Sequence, residues 1–200
     1  MKTIYLLLGI LALLAACSSP PDDLASAVIM EHEPVDNTMG GMTDDEMDAM
    51  MDDGIHEMTI DPAKSTFTFE GYGPGKSHVG TFQEMSGTIT MEMDGTITAS
   101  EGTIQTASVK SDSDGLDNHL KNEDFFDVER YPTITWKSNS INDEEMIGEL
   151  TFLGVTRTIT IPIIMKENSL SADFLLDTSQ FGMSYAGVND EVRIAFAVRP

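Results

Sequence analysis

Residues 119–136, His-Leu-Lys-Asn-Glu-Asp-Phe-Phe-Asp-Val-Glu-Arg-Tyr-Pro-Thr-Ile-Thr-Trp, decide how the rest of the chain is read. A short polar helix carries Phe125 and Phe126 near its end and is stopped by Tyr131-Pro132. Proline cannot continue a helix, and it pushes the residue before it into extended backbone. A strand follows at once, with Ile134 and Trp136 alternating against Thr133, Thr135 and Lys137. Leu116 and Leu120, four apart, give a helix over 115–128 a single apolar stripe.

Outward from this insertion, the chain beyond Thr59 has a period of two, the mark of half-buried strands. Phe67 and Phe69 alternate with Thr66, Thr68 and Glu70; Ile89, Met91 and Met93 alternate with Thr88, Thr90 and Glu92 before an Asp94-Gly95 turn. A third strand runs from Thr96 to Val109, bent at Gly102. After the helix come Thr133–Lys137, Met146–Phe152, a Leu153-Gly154 turn and Thr156–Met165. In the last of these Pro162 cannot donate to a ladder and marks a bulge or an unpaired position. Leu170, Ala172, Phe174 and Leu176 form the seventh strand, and Val192, Ile194, Phe196 and Val198 the eighth.

Eight antiparallel strands with one apolar face each can close into a barrel without a free edge. A barrel of that number is just wide enough to be filled by side chains or to hold one small ligand. A two-sheet sandwich satisfies the same periodicity. The outward positions are rich in Thr, Glu, Asp and Lys, the reverse of a membrane-spanning barrel. The helix either lids one mouth or crosses over a closed core.

With 200 residues, 40% of them hydrophobic, the chain holds one good-sized domain. A formal net charge of -23 argues against nucleic acid, whose binding is driven by Lys and Arg on phosphates, and against electrostatic adhesion to anionic lipid. Membrane contact must then be covalent or hydrophobic. The N-terminus offers the covalent route: Lys2, an apolar run from Ile4 to Leu14, then Leu14-Ala15-Ala16-Cys17. A positive start, a short apolar core and small residues before the cut describe a signal peptide over residues 1–16. The run is shorter than the roughly 20 residues of a spanning helix. Leu-Ala-Ala-Cys resembles the bacterial lipobox, which makes Cys17, the only cysteine, the lipid-attachment residue. Two or three acyl chains anchor stably where one is marginal, and no thiol remains for a disulfide or a thiolate site.

Residues 17–58 read as an acidic, Met-rich, disordered tether, free of Lys and Arg and poor in aromatic residues. As a flexible coil of about 41 residues it would span roughly 35 Å, enough to hold a domain clear of a lipid surface. Met30, Met39, Met42, Met47, Met50, Met51 and Met58, with His32 and His56, give a second reading: thioether and imidazole ligands suit Cu(I). Against it, the spacing is irregular and an acidic linker explains the composition.

Chemistry is sparse in residues 59–200. His78 and His119 are the only histidines there, and a pair without a third ligand is weak as a zinc site. Each fits better as a residue that hydrogen-bonds backbone at a strand or helix end and holds the barrel mouth. Ser77 has no nucleophile elbow around it, and no phosphate-binding glycine pattern occurs. Asp112, Asp114, Asp117, Asp124 and Asp127 read as solvated surface around the helix. The chain is not expected to be an enzyme, and no cofactor or metal is expected in the domain.

Four ordered blocks resemble the YceI family. They are His78-Val79-Gly80-Thr81-Phe82 with Ser86-Gly87-Thr88-Ile89; His119-Leu120 through Asp124-Phe125-Phe126 to Tyr131-Pro132-Thr133-Ile134-Thr135-Trp136; Gly148 through Arg157; and Phe181-Gly182-Met183. Together they cover most of 59–199. Trp136 stands where Phe is more usual, and the acidic tether is no part of the family pattern. The resemblance implies an all-β, eight-stranded antiparallel lipocalin-like barrel over 59–200, with one short helical insertion and an apolar tunnel that receives a polyisoprenoid.

The expected function is therefore an extracytoplasmic, lipid-anchored binding protein, on the periplasmic or cell-surface side, that holds a polyisoprenoid or quinone-like lipid. Phe67, Phe69, Phe82, Ile89, Met91, Ile104 and Ile134 are expected to line the tunnel, with Trp136, Phe152, Ile159, Phe174, Ile194 and Phe196. His78, His119, Lys121 or Arg157 would meet a head group. The alternatives are copper capture by the tether and a ligand-free, stress-protective envelope protein. Homodimer formation stays open.

Overall fold

The structure is a computed structural model that describes residues 18–30, 55–166 and 169–200. Thirteen strands appear among them. They are β1 (Val28–Met30), β2 (His56–Thr59), β3 (Thr66–Gly73), β4 (Lys76–Phe82), β5 (Met85–Met91), β6 (Ile97–Gln105) and β7 (Val109–Ser111), then β8 (Thr133–Ile141), β9 (Glu145–Phe152), β10 (Val155–Pro162), β11 (Ile164–Lys166), β12 (Ser169–Asp177) and β13 (Glu191–Val198). One α-helix, α1 (Asp114–Leu120), interrupts them.

The strands form a seven-stranded sheet, β1-β10-β9-β8-β6-β5-β2, and a six-stranded sheet, β11-β12-β13-β3-β4-β7. Every pairing within them is antiparallel. Phe67 and Phe69 of β3 sit opposite Phe196 and Ile194 of β13, and Trp136 of β8 sits opposite Leu150 of β9. These apolar faces meet between the sheets, where Ile89, Ile97, Ile159, Leu170 and Phe181 are almost wholly buried.

The expected closed, eight-stranded barrel is corrected in count and in closure. The predicted third strand is two: β6 leaves the larger sheet, passes a 3-10 turn at Thr106–Ser108, and enters the smaller sheet as β7. The predicted sixth strand also divides, because Pro162 ends β10 and Ile163 turns its N–H to Glu144 before β11 joins β12. Strand β4 was hidden by Gly80 and the polar Ser77-His78 pair. A Cβ at Gly80 would meet the Phe69 ring where it now lies. Among the described residues the ladders stop at β1, β2, β7 and β11, so the sheets keep edges there. These edge strands are only three or four residues long, which limits the unpaired backbone they offer to other chains.

The tether assignment for 17–58 also changes at both ends. Val28-Ile29-Met30 is an apolar tripeptide that pairs with β10 at Thr160, Ile159 and Thr158, and Ala27 and Ile29 pack against the core. His56–Thr59 pairs with β5. Met30, His56 and Met58 of the copper reading therefore sit in strands at opposite edges of one sheet. Cys17, the signal peptide and the remaining Met and His residues of that reading lie outside the described residues.

Helix α1 is shorter than the 115–128 expected. Ser113 caps its start, accepting from the Leu116 N–H at 3.3 Å. Its end is set by Phe126, whose N–H returns to the Leu120 carbonyl, and by Asp127 in the left-handed region at φ 43°. Phe125 and Phe126 thus leave the helix and occupy the turn after it.

Candidate ligand cavity

The two inner faces do not fill the space between them. A cavity of about 250 Å³ remains, lined by side chains of both sheets, of α1 and its following turn, and of the 178–190 segment. Hydrocarbon dominates the lining. An engineered apolar cavity of about 150 Å³ stays dry and takes up benzene, so a void of this size and character is fit for a hydrocarbon group. Among the described residues, no buried side-chain nitrogen or oxygen lacks a hydrogen-bond partner. The buried Ser100 at the lining is paired: its Oγ accepts from Trp136 Nε1 at 3.0 Å and donates to Met146 Sδ at 3.2 Å. The buried part of the lining therefore makes no demand for a polar ligand.

Close backbone approach shapes one wall. The Trp136 ring lies over Gly148, where a Cβ would sit 2.6 Å from two ring atoms. Phe67, Phe69, Phe82 and Phe126 form a second wall with ring centroids 5.2 to 6.0 Å apart, a tilted and edge-on packing that favours aromatic pairs. At Gly71 a Cβ would meet nothing within 4 Å, so the inner face of β3 is open there.

Beside Gly71 the lining reaches solvent through Ser184 and Tyr185, with Val188, Asn189 and Asp190 around them. Tyr185 is 38% exposed. Its ring packs on Phe125 and on His119, with centroids 5.2 and 5.5 Å apart. The turn after α1 and the 182–190 loop therefore meet over this opening. A second stretch of lining, Ser86 and Glu101 through Thr103, also includes exposed residues.

The helix is held by an internal ion pair. Asp117 is only 6% exposed and receives Lys110 Nζ at 2.6 Å, the Ser111 hydroxyl at 2.6 Å and the Ser111 N–H at 2.5 Å. Lys110 also reaches Asp114 at 2.7 Å. The Lys110 and Ser111 donors hold the Asp117 carboxyl down at about 2. Asp117 was expected on the solvated surface with its neighbours; its position facing β7 makes it the clip for α1 instead.

Of the thirteen side chains expected at a tunnel, Phe67, Phe69, Phe82, Ile104, Ile134, Trp136, Phe152, Ile159, Phe174, Ile194 and Phe196 line the cavity. Ile89 and Met91 belong to the packed core away from it. Ile60, Met146, Leu150, Leu170, Leu176, Val192 and Val198 line it as well. Most of these share the period-two faces already recognised, so the signal was present. Met183, Tyr185 and Val188 come from a loop, where no periodicity marks them.

The histidines find carboxylates and not the backbone groups expected. His78 Nδ1 is 2.9 Å from both Asp112 oxygens, and His119 Nε2 is 3.5 Å from Asp124. Arg157 donates to the Gln180 carbonyl at 3.4 Å. Among the described residues no three His, Cys, Asp or Glu side chains are grouped to hold a metal ion. No described helix is long and apolar enough to cross a membrane.

A sequence profile of the YceI-like domain matches residues 58–199. Over 87 residues the chain is 34% identical to Protein YceI of Escherichia coli, covering 41% of this chain and 46% of that one. Over 61 residues it is 34% identical to a UPF0312 protein of Staphylococcus aureus, covering 30% and 36%. The alignments thus span less than half the length of these curated relatives. Among solved structures, BcnA of Burkholderia cenocepacia superposes with a TM-score of 0.62 at 22% identity, over 70% of this chain and 98% of that one. A polyisoprenoid binding domain from Saccharophagus degradans superposes with a TM-score of 0.56 at 13% identity, over 74% and 99%. At these identities the superpositions speak to the fold.

Proposed function

Because the chain belongs to the YceI-like domain family, we propose that its cavity holds the hydrocarbon tail of an isoprenoid lipid, and that the protein acts by binding and not by catalysis. The observation that carries this reading is the apolar void between the sheets, with the buried polar side chains around it already hydrogen-bonded. Apolar surface moved out of water contributes roughly 25 cal/mol per Å², less the cost of immobilising the ligand. A long, uncharged isoprenoid chain gains from every unit buried, so length and not a charged head group would set affinity. The enclosed volume takes part of a long isoprenoid, and the Tyr185 opening lets the rest emerge.

The kinship with a polyisoprenoid binding domain in fold is in keeping with this ligand class. The sequence around Cys17 supports a place outside the cytoplasm, with diacylglycerol on the cysteine as the membrane anchor. The test is native mass spectrometry of protein purified from its own envelope, followed by thermal melting of delipidated protein with added polyprenol. A co-purified isoprenoid and a raised melting temperature are expected. Protein that carries no isoprenoid and melts unchanged with polyprenol would overturn the reading.

A further inference from the structure

Residues 18–30 do not trail away from the domain. Ser18, next to Cys17, donates its hydroxyl to the Gly73 carbonyl at 3.1 Å. Further on, the Ala25 carbonyl accepts from Leu175 N–H at 2.9 Å and the Ala27 N–H donates to the Leu175 carbonyl at 2.8 Å. The chain then becomes β1 against β10. The segment is therefore fastened first to the smaller sheet at β3 and β12, and then to the larger sheet, across the seam between them.

Burial agrees with this path. Tyr72 and Leu175 alternate with the inward Gly71, Phe174 and Leu176, so they point to the outer face of the smaller sheet. Asp173, on that same face, is exposed. Yet Tyr72 and Leu175 are only 4% and 5% exposed. A strap passing from Gly73 to Leu175 crosses the region between them and accounts for the difference.

Gly73 lies at the lip of the Tyr185 opening. The Asn189 N–H donates to the Tyr72 carbonyl at 2.8 Å, and a Cβ on Gly187 would sit 3.7 Å from Pro74. The β3–β4 hairpin and the 182–190 loop form one rim, and Cys17 precedes Ser18 by a single Cα step of about 3.8 Å.

We infer that the opening ringed by Gly71, Tyr185 and Asn189 faces the lipid surface, because the strap ties the anchor-bearing residue to its rim. The inference rests on the anchoring part of the reading above, namely acylation of Cys17. It deepens that reading: a lipid would pass between bilayer and cavity without its chain crossing water. In chain order the acidic stretch 31–54 comes after the strap, between β1 and β2. With a formal charge of -23, attraction to anionic head groups cannot set the orientation. The covalent attachment sets it.

The test uses the mature acylated protein in vesicles of phosphatidylcholine and phosphatidylethanolamine, some carrying a head-group nitroxide. With Cys17 acylated no other thiol exists, so a fluorophore can be placed at Ser184→Cys or at Glu101→Cys. Loss of fluorescence at position 184 with retention at 101 is expected. Ala27→Pro, which removes the N–H bound to Leu175, should abolish that contrast. Equal quenching at the two positions, or stronger quenching at 101, overturns the orientation whether or not the proline variant folds. Intact mass showing an unmodified Cys17 overturns it too. Lipid binding is read separately, by melting soluble Cys17→Ser protein with polyprenol, so the failure of one is not mistaken for failure of the other.

Discussion

At the residue scale, two glycines with the same chemistry have opposite surroundings. A Cβ at Gly148 would strike the Trp136 ring and the Lys137 carbonyl, and the carbonyl cannot move without breaking the ladder. Gly148→Ala should therefore cost about 1–3 kcal/mol as over-packing, read by urea unfolding; a loss within error would contradict the packing described. At Gly80 the nearest obstacle is the Phe69 ring, which has a void to swing into. Gly80→Ala should leave stability nearly unchanged and weaken the rise in melting temperature produced by polyprenol. Phenylalanines divide in the same way. Phe181, 1% exposed and off the cavity, should cost about 3–5 kcal/mol on truncation to Ala. Phe69 already borders empty space, so Phe69→Ala should cost clearly less in the ligand-free protein. Equal losses would mean that the interior is effectively filled.

At the element scale, α1 depends on a carboxylate more than on its own length. Seven residues make a marginal helix in water, so its place over the cavity comes from the Lys110–Asp117–Ser111 clip. The Asp117 carboxyl is held at about 2 by these donors, below the 3.8 of a free aspartate. A group with a depressed folded-state value contributes stability above its unfolded value and loses it as pH falls through the folded one. The wild type should therefore lose stability between about pH 4 and pH 2 with a slope that Asp117→Asn lacks. At neutral pH the variant should also show faster hydrogen exchange across 114–126. A variant retaining the acid slope would show that other carboxylates carry it. The clip was not legible in sequence: five aspartates around 112–127 look alike, and only the fold of β7 beneath α1 selects Asp117 for burial.

At the scale of the whole molecule, the cavity lining is mostly hydrocarbon, with Glu101 and Asp190 the acidic residues along it, while the chain carries a formal net charge of -23. Salt screens exposed charges but does little to apolar contacts. Polyprenol binding should accordingly be nearly the same at low and high salt, measured by fluorescence of a labelled chain. Affinity that falls steeply with salt would point to a head-group contact at His78, His119, Lys121 or Arg157, and away from the hydrocarbon lining.

Alternation at Phe67 and Phe69, at Phe174 and Leu176, and at Ile194 and Phe196 determined the strands and which faces turn inward, because a side chain's face in a strand depends only on its neighbours along the chain. Tyr131-Pro132 likewise determined where β8 begins, though the helix itself stops earlier, at Leu120. Only the tertiary structure decided that β6 and β10 each pass from one sheet to the other, that the sheets keep their edges, and that 18–30 forms a strap. Each of these depends on which distant backbone offers a free N–H or carbonyl. The void belongs to the same class. Periodicity says which side chains point inward, and whether they meet in the middle depends on how far apart the two sheets are held.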